Sequence, residues 1–174
     1  MMQPTIRAAA SADIPAITGI YAHAVMDGTA TFEIDAPDQA EMRRRQRELM
    51  DAGFPYIVAE LDGKLLGYAY VGHYRTRPAY RYTVEDSIYV DPEAQRRGVG
   101  RALLNRLIAE SAELGFRQMI AVIGDSAQTP SIELHRAAGF RVIGAFDSVG
   151  YKFGRWLDCV MMQRALGPGA STQP

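Results

Sequence analysis

The sequence predicts one α/β domain in which helices flank a mixed, mostly antiparallel sheet on both faces, giving three layers. Its length of 174 residues suits a single domain with a sizeable core. Apolar residues recur at helical spacing in some segments and at strand spacing in others. The segments follow the order strand, two helices, three strands, helix, strand, helix and two strands. This order favours an antiparallel-led sheet with helices packed on its faces.

The first part of the chain predicts one strand and two helices. Residues 5–9 can form the strand, and Ser11-Ala12-Asp13 is typical of the start of a helix. Apolar side chains at helical spacing between Ile14 and Val25 predict a first amphipathic helix. We expect a loop over residues 27–36 and a second helix from Pro37 onwards. Glutamates flank the arginine run of that helix, which predicts a solvated face rather than a nucleic-acid patch.

The middle of the chain changes to strand periodicity. The predicted elements are a strand at residues 56–61, a hairpin turn at Asp62-Gly63, a strand at residues 64–71, a loop at residues 72–79 and a strand at residues 80–90. Asp91-Pro92 ends the last of these strands, because proline cannot donate a hydrogen bond to a sheet.

The last third predicts two helices, three strands and a tail. In order these are a helix from the glycine loop to Gly115, a strand at residues 118–123, a helix at residues 130–138, strands at residues 141–145 and 156–164, and a disordered tail at residues 167–174. Residues 1–166 are therefore expected to form the single domain, with no internal repeat.

Bulk composition excludes several classes of protein. A formal net charge of -1 argues against a general nucleic-acid binder. The only cysteine, Cys159, lies in an apolar strand and is expected to be a small core side chain rather than a reactive thiol. The first residues lack the pattern of a signal peptide, and no apolar run approaches the length of a membrane span. We therefore expect a cytoplasmic enzyme.

A glycine loop, Gln95-Arg96-Arg97-Gly98-Val99-Gly100-Arg101, lies between a predicted strand and a predicted helix. Gly98 and Gly100 allow backbone N–H groups to approach a pyrophosphate, and the helix that starts near Val99 adds its positive end. Arg96, Arg97 and Arg101 supply charge. The same residues also fit a plain glycine-rich helix start with exposed arginines. The spacing matches neither a Gly-Lys-Ser/Thr phosphate loop nor a dinucleotide fingerprint.

These residues resemble the acetyl-CoA signature of the GNAT superfamily of N-acetyltransferases. The resemblance is carried by Val90-Asp91-Pro92 with residues 95–100, and by residues 134–140, which are similar to the superfamily's short cofactor-side helix. It covers residues 6–166. It implies a three-layer α/β/α GNAT-like fold and acetyl-CoA as co-substrate, held by residues that include Ile88, Tyr89 and Val90.

Four further segments resemble the phosphinothricin and methionine sulfoximine/sulfone acetyltransferase branch of the superfamily. They are residues 28–32, 83–90, 121–126 and 150–158, of which the last is the most diagnostic. The resemblance implies transfer of an acetyl group to the α-amine of a small amino-acid analogue. It also implies a homodimer, with residues 151–156 at the interface. Two alternatives stay open: acetylation of another amine, such as a protein N-terminus or a polyamine, or a non-catalytic acyl-CoA-binding regulatory module.

Glu85 is the predicted general base, because an amine that attacks a thioester must lose a proton. Strand alternation places Glu85, Ser87 and Tyr89 on one face, with Asp86 and Ile88 on the other. The alternative is a strand carboxylate that simply faces solvent. We predict Glu85, Asp86 and Ser87 to lie at the acceptor site.

His135 is the predicted acid, which would protonate the departing CoA sulfur. The resembled branch carries His at this place after Leu, whereas many members of the superfamily carry Tyr nearby. A packed, hydrogen-bonded His with no role in proton transfer is the alternative. The His residues show no metal-ligand spacing, so no metal site is expected.

Arg75, Thr76 and Arg77 are predicted to bind the acceptor, since guanidinium groups bind carboxylate, phosphinate or sulfone oxygens. Exposed loop arginines that only aid solubility are the alternative. Phe32 is expected to wall the same pocket.

Gln128 stands where the superfamily commonly has an Asn that contacts the pantetheine arm of the cofactor. Gln keeps the amide donor and acceptor but reaches further, so we expect a cofactor contact here or a plain polar loop residue. The sequence thus predicts a small-molecule acetyltransferase, with neither nucleic acid nor membrane as partner.

Overall fold

The computed structural model describes residues 4–174 and contains a seven-stranded sheet in the order β1-β2-β3-β4-β5-β7-β6. The strands are β1 (Thr5–Ala8), β2 (Tyr56–Leu61), β3 (Lys64–His73), β4 (Thr83–Val90), β5 (Gln118–Gly124), β6 (Arg141–Lys152) and β7 (Arg155–Ala165). The helices are α1 (Ile14–Asp27), α2 (Gln39–Asp51), α3 (Val99–Glu113) and α4 (Thr129–Ala137). Strands β4 and β5 run parallel, while every other neighbouring pair is antiparallel. The predicted mixed, mostly antiparallel sheet is confirmed.

Helices α1 and α2 cover one face of the sheet, called here the front face. Its core joins Ile17 and Tyr21 of α1 to Tyr56, Val58 and Tyr68 of the sheet, and all five are buried. Because side chains alternate along a strand, Glu85, Ser87 and Tyr89 of β4 share this face.

Helices α3 and α4 cover the opposite, back face. Leu103, Leu104 and Leu107 of α3 pack on Val84 and Met119 of β4 and β5, and all five are fully buried. The segment that follows α4 adds Phe140 to the same core. The two cores explain the three layers, since each helix pair buries one apolar stripe against the sheet.

Local sequence fixes several of these boundaries. Asp62 and Gly63 both have positive φ (52° and 77°), as a two-residue type I′ hairpin turn requires. This confirms the predicted turn between β2 and β3. The side chain of Asp38 accepts a 2.8 Å hydrogen bond from Glu41 N and caps α2.

Strands β4 and β5 pair over only part of their length. Their register runs from Thr83 opposite Gln118 to Asp86 opposite Ala121, although β4 continues to Val90 and β5 to Gly124. Beyond Asp86 the strands diverge. The resulting split leaves backbone groups of β4 free for a ligand and connects the two faces of the sheet.

Two predicted strand boundaries were wrong by three residues or more, while the others differ by two residues at most. The strand predicted at residues 80–90 starts only at Thr83, because Pro78–Tyr80 form a 3-10 turn in which Tyr80 N donates to Arg77 O. The strand predicted at residues 141–145 continues to Lys152. Its pairing with β7 shifts register between Phe146 and Gly150, so the side chains do not alternate as an uninterrupted strand would.

The segment after β7 contacts the rest of the domain. Residues 1–3 of the predicted domain lie outside the described part. Arg117 donates hydrogen bonds to Gly169 O, Thr172 Oγ1 and Gln173 O, so the segment after Leu166 contacts the residue that precedes the inner strand β5. The disorder predicted for residues 167–174 stays a prediction.

Candidate active site

A cavity of about 790 Å³ occupies the split between β4 and β5. Its walls come from both faces of the sheet: α1 and the loop after it in front, α3 and α4 behind. The predicted site residues that line it are Glu85, Asp86, Ser87, Ile88, Tyr89, Val90, Arg96, Gly98, Val99, Gly100, Arg101, Gln128 and His135. Arg97 was predicted to bind the cofactor with them but does not line the cavity, whereas Arg96 and Arg101 of the same loop do.

The glycine loop forms an anion nest at the start of α3. Gly98 has φ 82° and Arg96 has φ 59°, which turns successive N–H groups towards one side. The first intrahelical bond runs from Ala102 N to Gly98 O, so the N–H groups of Val99, Gly100 and Arg101 have no acceptor inside the helix. These donors and the positive end of α3 fit a pyrophosphate.

Gly100 keeps this nest close to α4. A Cβ at Gly100 would lie 3.3 Å from Leu134 Cδ2, whereas a Cβ at Gly98 would meet nothing within 4 Å. The two glycines therefore act differently. Gly98 supplies a left-handed backbone conformation, and Gly100 leaves room between the helix start and α4.

Glu85 lies on the front face at the point where β4 and β5 begin to separate. It is partly buried, and burial together with the charge of Asp86 raises its pKa to about 7. A carboxyl group with a pKa near neutral accepts protons effectively at physiological pH. This matches what the predicted base requires.

Asp86 points to the back face, where it pairs with His135. Asp86 Oδ2 lies 3.0 Å from His135 Nε2, and both side chains are almost fully buried. His135 Nδ1 lies 2.7 Å from Ser131 O and donates to it, since a carbonyl oxygen can only accept. Burial disfavours the imidazolium, but the hydrogen bond and charge of Asp86 outweigh it and raise the pKa of His135. The structure therefore separates Asp86 from Glu85 and Ser87, with which it was predicted to bind the acceptor.

The four other β4 residues that line the cavity divide between side-chain and backbone roles. Ser87 lies opposite Tyr70 of β3 and faces the front. The ring of Tyr89 packs edge-on against Tyr21, with centroids 4.9 Å apart, so only its backbone is left to face the split. Ile88 and Val90 pack on the back-face core.

The loop between α1 and α2 forms the front wall of the cavity through Gly28, Ala30 and Thr31. Lys152 Nζ donates to Gly28 O at 2.8 Å and to Thr31 O at 2.9 Å. Gln128 Nε2 donates to Thr29 Oγ1 at 2.9 Å, so in the structure this amide holds the loop, and its predicted cofactor contact stays a prediction.

Phe32 lies in the same loop and covers two glycines. A Cβ on Gly124 would lie 2.7 Å from Phe32 Cε1, and a Cβ on Gly150 would overlap the same ring. The ring is partly exposed beside the front wall, although it is not among the residues that line the cavity.

Arg75, Thr76 and Arg77 do not reach this cavity. All three are exposed on the loop between β3 and β4, and the guanidinium of Arg75 lies over the ring of Tyr74, 5.2 Å from its centroid. Within one described chain, the predicted acceptor arginines are therefore apart from Glu85. They stay predictions for the acceptor site.

Lys152 and the Asp86–His135 pair are the features that sequence reasoning missed. The chain contains only two lysines, Lys64 and Lys152, and the second lies within an aromatic hairpin. A cation in such a segment is a signal of a buried contact, but nothing local identifies its partners. Residues 4–174 contain no group of three or more His, Cys, Asp or Glu side chains that could hold a metal ion. Across the same residues, every helix is too short or too polar to span a lipid bilayer.

Known proteins share the fold of this chain and much of its sequence. A model of the acetyltransferase (GNAT) family matches residues 20–140. The chain is 56% identical over 170 residues to a phosphinothricin N-acetyltransferase of Alcaligenes faecalis, which covers 98% of this chain and 86% of that protein. It is 42% identical over 167 residues to an L-methionine sulfoximine/L-methionine sulfone acetyltransferase of Salmonella typhimurium, covering 96% and 97% respectively.

A solved structure extends the likeness to the cavity as a whole. The crystal structure of a GNAT superfamily phosphinothricin acetyltransferase from Sinorhizobium meliloti, in complex with acetyl-CoA, superposes with a TM-score of 0.97. It is 49% identical, and the match covers 99% of this chain and 94% of that one. The matched region includes the nest, the split sheet and α4.

Proposed function

Because this chain belongs to the acetyltransferase (GNAT) family, we propose that it acetylates the α-amine of a small amino-acid analogue such as phosphinothricin, methionine sulfoximine or methionine sulfone. The acetyl donor is acetyl-CoA. The observation that carries the proposal is the position of Glu85, a carboxyl group with a pKa of about 7. Glu85 lines the split between β4 and β5 from the front face, and the anion nest lines the same split from the back face.

The two faces of the sheet divide the substrates between them. The nest at the start of α3 would hold the pyrophosphate of acetyl-CoA, with Gly98, Val99, Gly100 and Arg101 donating from the backbone and Arg96 adding charge. The free edge of β4 from Ile88 to Val90 would bind the pantetheine arm along the split. The thioester then meets the front face at Glu85, where the acceptor amine approaches.

In this proposal the neutral amine attacks the thioester carbonyl, and Glu85 takes its proton directly or through a water molecule. The C–S bond then breaks, and the CoA sulfur leaves with a proton supplied behind the split. Holding amine and thioester together across the split supplies much of the rate.

His135 and Asp86 have a joint place in this scheme. Both imidazole nitrogens have partners, so His135 can protonate the sulfur only if its bond to Asp86 or Ser131 O gives way. We keep His135 as the candidate acid and add Asp86 as the group that keeps it protonated. Asp86 Oδ1 is buried without a hydrogen-bond partner, so His135 is the polar side chain that this carboxylate contacts among the described residues.

An apolar surface supports a homodimer as part of the proposal. Strand β6 lies at the edge of the sheet and, with its turn and β7, exposes Val142, Ile143, Phe146, Val149, Tyr151, Phe153 and Trp156. Trp156 is 63% exposed and Tyr151 58%, with their rings packed together at 5.2 Å. An apolar strip of this kind at a sheet edge suits a second copy of the chain, as predicted for residues 151–156. We also propose that residues 1–166 act as one domain in the cytoplasm, where a free Cys159 thiol is compatible.

The test is release of CoA thiol from acetyl-CoA with a panel of amines. The panel contains phosphinothricin, methionine sulfoximine, methionine sulfone, ordinary amino acids, spermidine and a peptide with a free N-terminus. We expect kcat/KM to be highest for the amino-acid analogues, with mass spectrometry placing the acetyl group on the α-nitrogen. A higher kcat/KM for spermidine or the peptide would refute the acceptor class, and no release with any amine would refute catalysis on these acceptors.

A further inference from the structure

Lys152 holds the front wall of the cavity in place. We propose that its ammonium group is a positioning residue for the acceptor, because it fixes the backbone of the loop that faces Glu85. The inference rests on the proposed function for the identity of the acceptor, but it concerns a residue to which that function assigns no role.

The geometry of the contact is that of a clamp on the main chain. The ammonium donates to Gly28 O and Thr31 O, two carbonyls three residues apart on the same turn. Lys152 is only 4% exposed, although a lysine is seldom buried. Burial lowers its pKa, against the opposing effect of Glu33. A buried cation satisfied by two carbonyls resists displacement, since the freed carbonyls would lose their partner inside the protein.

The loop that it holds belongs to the acceptor side. Gly28, Ala30 and Thr31 line the cavity from the front, the face on which Glu85 lies, whereas the nest for the phosphates lies behind. Other contacts hold side chains of the loop: Gln128 binds Thr29, and Tyr21 binds Thr31 at 3.1 Å. Tyr21 and Arg45 also bind the carboxylate of Glu33, at 2.9 and 2.6 Å. Lys152 is the anchor that binds the backbone on both sides of the turn.

Lys152 also connects this wall to the apolar hairpin. It ends β6, pairs with Arg155 of β7 and follows Tyr151 of the exposed strip. Two segments, residues 28–32 and 150–158, therefore meet through the Lys152 side chain, across 124 positions of sequence, as well as through the packing of Phe32 on Gly150.

The first experiment compares Lys152→Met with wild type in steady-state kinetics, varying each substrate in turn. We expect KM for the acceptor to rise about 10-fold to 100-fold, with KM for acetyl-CoA within about twofold of wild type. Lys152→Arg, which keeps the donors, should recover part of the loss. Lys64→Met is the matched control, because Lys64 is exposed and pairs only with Asp91 and Glu93. Equal KM values for the acceptor in Lys152→Met and wild type would overturn the inference.

A second measurement uses the wild-type protein and so does not depend on the variant folding. Reductive methylation with 13C-formaldehyde labels accessible amines, and the chain offers only Lys64, Lys152 and its N-terminus. We expect Lys64 to be methylated and Lys152 to stay protected. Methylation of Lys152 as fast as Lys64 would show that the clamp does not hold. If the proposed acceptor class were wrong, wild type would fail on the amino-acid analogues while this protection would persist, which separates the two failures.

Discussion

His135 Nε2 lies 3.0 Å from Asp86 Oδ2, and His135 Nδ1 donates to Ser131 O. A carbonyl oxygen cannot donate, so Nδ1 carries a proton in either charge state, and the second ring proton is shared with the carboxylate. The pair thus stores one proton at the closed end of the split, on the opposite side of β4 from Glu85. Its charge state can be tested separately from turnover.

Asp86→Asn should lower the pKa of His135. Burial then acts on the imidazolium without the compensating carboxylate, whereas in wild type Asp86 raises that pKa above 6.5. Because the folded pKa is raised, the stability that the pair contributes is fully present below pH 6.5 and is lost as pH rises through the folded value. NMR titration of the His135 ring protons measures the change in pKa, and melting temperatures at pH 5.5 and 9 measure the change in stability. An unchanged titration in Asp86→Asn would contradict the assignment.

Glu85→Gln should remove the base. With a pKa of about 7, Glu85 gains its proton-accepting form as pH rises through neutrality, so wild-type kcat/KM should climb between about pH 6 and 8. The variant should lose about 10²-fold to 10⁴-fold in kcat/KM and lack this limb of the profile. Initial rates at saturating acetyl-CoA measure it. A variant that keeps the wild-type limb would exclude Glu85 as the base.

The same variant should be more stable than wild type above neutral pH. The folded pKa of Glu85 lies above its unfolded value of 4.5, so its contribution to stability is present below pH 4.5 and is lost as pH rises through about 7. Gln carries no charge to bury. We expect the melting temperature of Glu85→Gln to exceed that of wild type at pH 8 and to match it at pH 4.5. A lower melting temperature at pH 8 would mean that the carboxylate is satisfied by a partner.

Local patterns predicted the elements well, whereas long-range contacts within the site were out of reach. The glycine loop and the Asp62-Gly63 turn are set by neighbouring residues, so their sequence fixes their backbone. The Asp86–His135 pair spans 49 positions and the Lys152 clamp spans 124, and no periodicity reports such contacts. Strand alternation did place the side chains of Asp86 and Glu85 on opposite faces of the sheet. Grouping the two at one acceptor site stays a prediction, although the fold places their side chains on opposite faces of the sheet.

Gly100→Ala should weaken the binding of acetyl-CoA more than the binding of the acceptor. The new Cβ would lie 3.3 Å from Leu134 Cδ2 and crowd the nest against α4. We expect KM for acetyl-CoA to rise about tenfold with little change for the acceptor, since about 1.4 kcal/mol of lost binding corresponds to a factor of ten. Gly19→Ala is the matched control: a Cβ at Gly19 meets nothing within 4 Å, and it lies in α1, where Ala favours the helix. Equal effects of the two substitutions on acetyl-CoA would refute the crowding argument.

Phe146→Lys with Trp156→Lys should produce a monomer. Both side chains are more than half exposed on the β6–β7 strip, and an apolar strip at a sheet edge gains stability when a second copy covers it. In a symmetric dimer, each introduced lysine would be buried close to the same lysine of the second copy. Burying these charges costs far more free energy than leaving them in water. Sedimentation equilibrium should give a dimer mass for wild type and a monomer mass for the double variant.

The control for this prediction substitutes exposed apolar residues outside the strip. Met50→Lys and Leu114→Lys change side chains that are 41% and 55% exposed at the ends of α2 and α3, helices that pack on β1 to β4 rather than on β6. These variants should sediment like wild type. A wild-type chain that is monomeric throughout the concentration range would remove the dimer from the proposed function. It would leave the Lys152 clamp intact, because that contact lies within one chain.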